Sequence, residues 1–271
     1  KSEKVIWALP GVPAELHAFW MEVVRPYLLE RFGLATPLEC TLRTTGLTES
    51  ALSRRLEGWE AQKPASLRLA YNPGWEGVSL HISAPGDFPL DEFDYWLDKL
   101  RELLRPYLYA EGAITLAAAL ISVLKERGLT VATAESCTGG HIAAALVDVS
   151  GASEVFRGAL VAYHNDLKEN LLGVPDSILS TEGAVSEATA RGMVSGIRTL
   201  TQSTLGIATT GIAGPTGATP TKPVGLVYIA IETPERTFVR PFHFSGGRDT
   251  VIARATATAL SLTWQFLHNL I

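Results

Sequence analysis

The feature that most constrains the fold is the alternation of short apolar strands with helices from Ala110 to the end of the chain. Residues 129–134 and 156–163 have the composition of strands, and amphipathic segments lie between such runs. Two further strands, at 225–232 and 237–244, predict a hairpin at the edge of the sheet. This pattern predicts a mixed sheet covered by helices.

The first 108 residues show a different order of predicted strands and helices. Residues 36–108 predict a small α+β module, with strands at 40–45, 66–70 and 77–83 and helices after Thr48 and over 93–104. Residues 1–35 predict one short strand and one amphipathic helix, which cannot bury a core alone. We therefore expect an α/β (α+β) two-domain chain, divided into residues 1–35 as the tail of a missing domain, 36–108 and 109–271.

Composition excludes several classes of function. The chain has 23 Lys and Arg against 28 Asp and Glu, a net charge of −5, so nucleic acid is not expected as a partner. The two cysteines, Cys40 and Cys137, are too few for a disulfide scaffold or a zinc cluster, and we expect no metal and no cofactor. The sequence starts without a signal-peptide pattern, and its longest apolar stretch, 112–124, is too short to span a bilayer, so a cytoplasmic protein without membrane contact is expected.

The first candidate site follows the predicted strand at 129–134. There Glu135, Ser136, Thr138, Gly139 and Gly140 connect a strand to a helix, where backbone N–H groups attract an anion or oxyanion. A serine at the carboxyl end of such a strand lies on the usual ligand side of an α/β sheet. The same serine or threonine is equally consistent with a simple helix N-cap, which is the commoner case.

A serine nucleophile needs a base, and none of the six histidines lies in a triad-like context. A neutral lysine can replace histidine if burial lowers its pKa. The segment 163–168 supplies Lys168, with Tyr163 and Asn165 able to face the same cleft. The alternative is a solvated surface lysine beside a packing tyrosine.

The third candidate is the Gly-rich loop after the predicted strand at 205–210. Its Thr210, Gly211, Ala213 and Gly214 can bring backbone amides close to a ligand. The loop lacks the pattern of a Walker A motif, and an ordinary connecting loop is the alternative.

Taken together, these segments resemble the CinA C-terminal domain, the nicotinamide mononucleotide (NMN) deamidase family. The resemblance covers nearly all of residues 110–271, and its motifs lie at 133–140, 163–168, 183–187, 211–215 and 222–225. It implies that NMN and water give nicotinic acid mononucleotide and ammonia.

In this resemblance Ser136 is the nucleophile, Lys168 the base, and Tyr163 a proton relay or a group that orients the lysine. The substrate-binding residues that we predict around them are Glu135, Thr138, Gly139, Gly140, Asn165, Thr210, Gly211, Ala213 and Gly214. A non-catalytic pyridine-nucleotide-binding module in a competence or DNA-damage response is the alternative function.

The front of the chain also resembles this family. Residues 9–16 look like the end of the molybdopterin-binding-like domain of full-length CinA, and residues 36–108 look like its KH-like middle domain. The Gly74–Gly77 stretch imitates a KH Gly-x-x-Gly loop but lies between two strands and carries Glu76. A spacer or dimerisation role is therefore expected of this module, and a homodimer of the chain.

Overall fold

The computed structural model describes residues 5–33 and 35–271. The elements of the first part are α1 (Pro13–Phe19), a π-helical turn (Trp20–Val24), α2 (Arg25–Phe32), β1 (Leu38–Thr44), α3 (Glu49–Gln62), β2 (Arg68–Pro73), β3 (Val78–Ala84), α4 (Leu90–Leu104) and β4 (Leu108–Glu111). Those of the second part are α5 (Leu116–Glu126), β5 (Val131–Glu135), α6 (His141–Val147), a 3₁₀ turn (Ala152–Glu154), β6 (Phe156–Val161), α7 (Asn165–Asn170), α8 (Asp176–Thr181), α9 (Glu187–Thr201), β7 (Leu205–Gly211), β8 (Leu226–Glu232), β9 (Thr237–His243) and α10 (Arg248–Leu267).

The N-terminal segment differs from its prediction in two ways. The predicted strand at residues 5–9 is absent, since these residues form no regular secondary structure. The predicted helix is interrupted by the π-helical turn Trp20–Val24, which ends just before Pro26. A proline lacks the N–H that would bond one turn back, so regular α-helical bonding cannot continue through it.

The small sheet is antiparallel, in the order β2-β3-β1-β4. Helices α3 and α4 cover it, and their leucine and tryptophan side chains pack with Leu42, Leu80 and Ile82 in one core. Thr48 caps α3 as predicted, since its side chain accepts a hydrogen bond from the Ala51 amide. The fourth strand, Leu108–Glu111, was not predicted, and it lies across the expected division at residue 108/109.

The large sheet is mixed, as the sequence predicted, in the order β6-β5-β7-β8-β9. Strand β5 pairs in parallel with both β6 and β7, whereas β8 and β9 are antiparallel. Helix α9 packs on one face of the sheet, and α5, α6 and α10 pack on the other. Over the described part of the chain, no helix is both long and apolar enough to cross a membrane.

The strand order determines where a ligand can bind. The chain leaves β5 for β6 on one side and later enters β7 on the other side, so the crevice beyond β5 is a topological switch point. The carboxyl ends of β5, β6 and β7 lie at the same edge of the sheet because these strands are parallel. All three candidate motifs follow one of these ends.

Candidate active site

A cavity of about 220 Å³ lies at this edge of the large sheet. Its lining residues are Ser136, Cys137, Tyr163, Asn165, Lys168, Ala184, Val185, Thr210, Gly211, Ala213 and Arg248. Seven of the predicted site residues are among them. The other five, which do not line the cavity, are Glu135, Thr138, Gly139, Gly140 and Gly214.

Ser136 begins a tight turn directly after β5. Its amide donates to the Thr209 carbonyl at 2.9 Å, and its own carbonyl accepts from the Gly139 amide at 3.2 Å. Its hydroxyl makes no hydrogen bond with another described residue and is accessible from the cavity. The hydroxyl is therefore available to a ligand.

The next residue, Cys137, is buried, and burial raises the pKa of its thiol to about 12. A thiol with such a pKa stays protonated near neutral pH and is a poor nucleophile. Ser136 is thus the stronger candidate of the two adjacent side chains.

The Glu135 side chain stabilises this turn. Its carboxylate is fully buried and accepts hydrogen bonds from the side chains of Thr133 and Thr138 and from the amides of Gly140, Ile142 and Ala143 at 2.7–3.1 Å. A carboxylate at a helix N-terminus satisfies amides that have no partner within the helix. These bonds occupy Glu135 and the Gly140 amide, so both support the turn and neither points into the cavity.

We expect Glu135→Gln to lower the free energy of unfolding by roughly 2–4 kcal/mol, because the amide removes the charge and turns one acceptor into a donor facing N–H groups. Urea unfolding would measure it. Glu154→Gln is the matched control, since the side chain of Glu154 is 66% exposed and its ion pair with Lys125 contributes little. Equal stabilities of the two variants would contradict the supporting role of Glu135.

Lys168, in α7, is completely buried, contrary to the surface-lysine interpretation. Its Nζ donates to the carbonyls of Ala162 and Tyr163 at 2.8 and 3.1 Å, at the end of β6. Burial lowers the pKa of the amine, and none of the residues that line the cavity is acidic. A neutral amine has two N–H groups, which these two carbonyls can take, and one lone pair that is left for another partner.

Ser136, which follows β5, and Lys168, in the helix that follows the neighbouring strand β6, line the same cavity. Among the described residues, however, no hydrogen bond joins the Ser136 hydroxyl to Lys168 Nζ. Catalytic hydrogen bonds are often long in the absence of substrate and shorten only in its complex. The predicted direct contact between the two groups thus stays a prediction.

Tyr163 contacts the lysine differently from the prediction. Its backbone carbonyl accepts a hydrogen bond from Lys168, while its phenol accepts one from Arg248 Nη2 at 3.1 Å, and the residue as a whole is 61% exposed. Arg248 also donates to the Gly214 carbonyl at 2.9 Å, which ties α10 to the Gly-rich loop. The phenol is thus placed beside a cation at the rim of the cavity.

The third motif forms the wall opposite the lysine. Thr210 Oγ1 donates to the Ala184 carbonyl at 2.5 Å and so holds residues 184–185 against the end of β7. Gly211 packs closely on β8, where an added Cβ would lie 2.6 Å from the Leu226 carbonyl oxygen. A larger residue would therefore shift this wall.

Sequence reasoning missed Arg248, Cys137, Ala184 and Val185 as residues of the cavity. The last two lie in the motif at 183–187, and Cys137 adjoins Ser136, so a wider reading of the motifs would have included them. Arg248 lies beyond all the motifs, and its only sequence signal is its position after Gly246 and Gly247 at the start of a helix. Arg248 reaches the cavity because α10 packs against the large sheet.

Comparison with known proteins gives one consistent family. A family model described as the CinA C-terminal domain matches residues 113–267. A competence-damage inducible protein of Caldanaerobacter subterraneus is 40% identical over 99% of this chain, which spans 65% of that protein's length. The crystal structure of the competence/damage inducible protein CihA from Agrobacterium tumefaciens has a TM-score of 0.54 at 39% identity and covers 55% of this chain and 91% of that one. A CinA superfamily protein from Klebsiella pneumoniae has a TM-score of 0.55 at 32% identity, with 57% and 96% covered.

Proposed function

The chain belongs to the CinA family, and from that premise we propose that its cavity is the active site of an amidohydrolase that converts NMN to nicotinic acid mononucleotide and ammonia. The observation that carries the proposal is the completely buried Lys168, whose pKa is lowered and which shares the cavity with Ser136. Burying an amine without an acidic partner is costly, and such groups are typical of functional sites.

The reaction proceeds in two halves. The Ser136 hydroxyl attacks the carboxamide carbon while Lys168 takes its proton, and the resulting tetrahedral intermediate loses ammonia with that proton. Water then attacks the acyl-serine ester, again with Lys168 as the base, and releases the carboxylic acid and the free hydroxyl. Lys168 must be neutral at the start of each half, which its lowered pKa favours.

The oxyanion of the tetrahedral intermediate needs hydrogen-bond donors beside Ser136. Among the described residues, the amides of Cys137 and Thr138 bond to no other residue, whereas those of Gly139 and Gly140 are occupied within the turn. We assign the oxyanion to the Cys137 amide, because Cys137 lines the cavity and directly follows the nucleophile, whereas Thr138 is fully buried and does not line the cavity.

The rest of the substrate extends toward Arg248. A cavity of about 220 Å³ is smaller than the roughly 300–1,000 Å³ usual for pockets that enclose a whole ligand. It can therefore hold the reacting ring, with the ribose phosphate at the rim. There the Arg248 guanidinium, held by Gly214 and Tyr163, offers a planar donor set suited to a phosphate.

We expect Arg248→Ala to raise the KM for NMN by about 10- to 100-fold, because a charge-assisted bond to phosphate is lost. Nicotinamide riboside lacks the phosphate, so its kcat/KM should be the same in the variant and in the unchanged chain. Steady-state kinetics with the two substrates would measure this, with Arg191→Ala as the control, because the Arg191 side chain is 47% exposed on the outer side of α9. A parallel loss on both substrates would contradict the phosphate assignment.

Incubation of the protein with NMN tests the function directly. Mass spectrometry should detect the small mass gain that accompanies replacement of the amide NH₂ by a hydroxyl, together with release of ammonia. Binding of NMN without turnover would contradict the enzyme and favour the non-catalytic module. Homodimerisation and a cytoplasmic location, both expected from the sequence, stay predictions.

A further inference from the structure

The Gly74–Gly77 turn forms part of a second cavity, outside the candidate active site. This cavity has a volume of about 430 Å³ and lies between the small module and α10. Its lining residues are Pro73, Gly74, Trp75, Phe244, Arg254 and Thr258. Ligand cavities occur preferentially between structural units, and this volume is within the range of about 300–1,000 Å³ that encloses a small molecule.

The turn is held rigidly in place. The Gly74 amide donates to the Gly77 carbonyl at 2.7 Å, and Thr45 Oγ1 donates to the Glu76 carbonyl at 2.7 Å. Gly77 has φ +145°, and a Cβ there would lie 2.0 Å from the Thr44 carbonyl oxygen. The Glu76 carboxylate accepts from the Tyr109 hydroxyl and from the Leu116 amide at the start of α5. The turn is therefore fixed to both parts of the chain.

This rigid turn nevertheless presents a large aromatic side chain to solvent. Trp75 is 58% exposed, and its ring faces the cleft that Phe244 borders from the end of β9. Tryptophan has only two side-chain torsions, and the backbone of this turn is already fixed. Little conformational entropy is therefore lost when a flat ring stacks on Trp75. Such a surface suits a planar ligand.

A cation lies close to both aromatic rings. The Arg254 guanidinium is 5.9 Å from the Trp75 ring centroid and 5.5 Å from that of Phe244. Only its Nη1 is bonded, to Ser245 at 3.3–3.4 Å, and its remaining donors have no partner among the described residues. None of the six lining residues is acidic. These donors are available to an anionic group.

We propose that this cleft binds a purine nucleoside phosphate, with its base stacked on Trp75 and its phosphate bonded to Arg254. Thr258 lies one turn after Arg254 on α10 and adds a hydroxyl for the ribose or phosphate. A neutral purine fits better than the positively charged pyridinium ring of NMN, which the guanidinium would repel. The net charge of −5 disfavours a nucleic acid strand in the same cleft.

Calorimetric titration of the whole chain with AMP tests the proposal. We expect saturable binding with one site per chain, weakened at least about tenfold by Trp75→Leu and by Arg254→Gln, since loss of base stacking or of a phosphate contact has effects of this size. Trp20→Leu and Arg240→Gln are the matched controls, because Trp20 is 42% exposed on the N-terminal helices and Arg240 lies 5.5 Å from the ring of Phe242. Both controls should bind AMP as the unchanged chain does.

Arg248→Ala separates the two cavities, and AMP affinity should not change in this variant. Absence of saturable AMP binding would overturn the proposal, as would equal affinity in the Trp75 and Arg254 variants and the unchanged chain. Loss of binding in Arg248→Ala alone would place AMP in the candidate active site. Binding only of a single-stranded oligonucleotide, falling steeply with salt, would assign the cleft to nucleic acid instead. None of these results depends on whether NMN is deamidated.

Discussion

Ser136→Ala should abolish ammonia release from NMN, with kcat reduced by about 10³-fold or more. Removing the nucleophile of a serine hydrolase leaves only what the oxyanion donors and substrate binding contribute. The Ser136 hydroxyl makes no hydrogen bond with another described residue, so its removal leaves no buried partner unsatisfied. We therefore expect the free energy of unfolding to be nearly unchanged, and NMN to bind the variant without being converted.

Ser203→Ala is the matched control for this experiment. Ser203 is 5% exposed, close to the 8% of Ser136, but its hydroxyl donates to the Leu205 carbonyl away from the cavity. The control should lose some stability and keep its kcat. Turnover by Ser136→Ala at the rate of the unchanged chain would show that Ser136 is not the nucleophile and would contradict the covalent mechanism.

Much of the large sheet could be predicted from the sequence because its strands and helices carry their own periodicity. Strand β7, for example, is observed over Leu205–Gly211 and was predicted over 205–210. Strand β4 was missed because it has only four residues, too few for a pattern, and its pairing with distant β1 stabilises it. The irregular segment 5–10 is apolar like a strand but has no neighbour to pair with among the described residues.

The candidate site, like the fold, could be predicted from the sequence only in part. Seven residues predicted from local motifs line one cavity. These motifs follow β5, β6 and β7, which are parallel and therefore end at the same edge of the sheet. The role of Glu135 could not be read from composition, because a carboxylate that binds substrate and one that caps a helix have the same sequence signal. Arg248 depends on the packing of α10 against the sheet, which no local pattern describes.

Lys168→Met should reduce kcat/KM for NMN by about 10³-fold or more, because the thioether cannot accept the serine proton. Methionine is apolar and of similar length, so it fills the buried volume, although the carbonyls of Ala162 and Tyr163 lose their donor. Lys168→Arg should be equally inactive, since a guanidinium stays charged at every accessible pH. In the unchanged chain kcat/KM should rise with pH through the lowered pKa of Lys168 and level off above it.

The same amine should leave a signature in stability that does not depend on the reaction. Its pKa in the folded protein lies below the ordinary value of 10.5, so between these two values the unfolded chain binds one more proton. The free energy of unfolding therefore rises with pH across that window, by up to about 1.4 kcal/mol per pH unit. Lys168→Met should lack this slope, whereas the tyrosines with raised pKa values, Tyr71 and Tyr109, affect both proteins alike and cancel in the difference. Parallel stability curves for the two proteins would mean that Lys168 is charged when folded, and it could then not be the base.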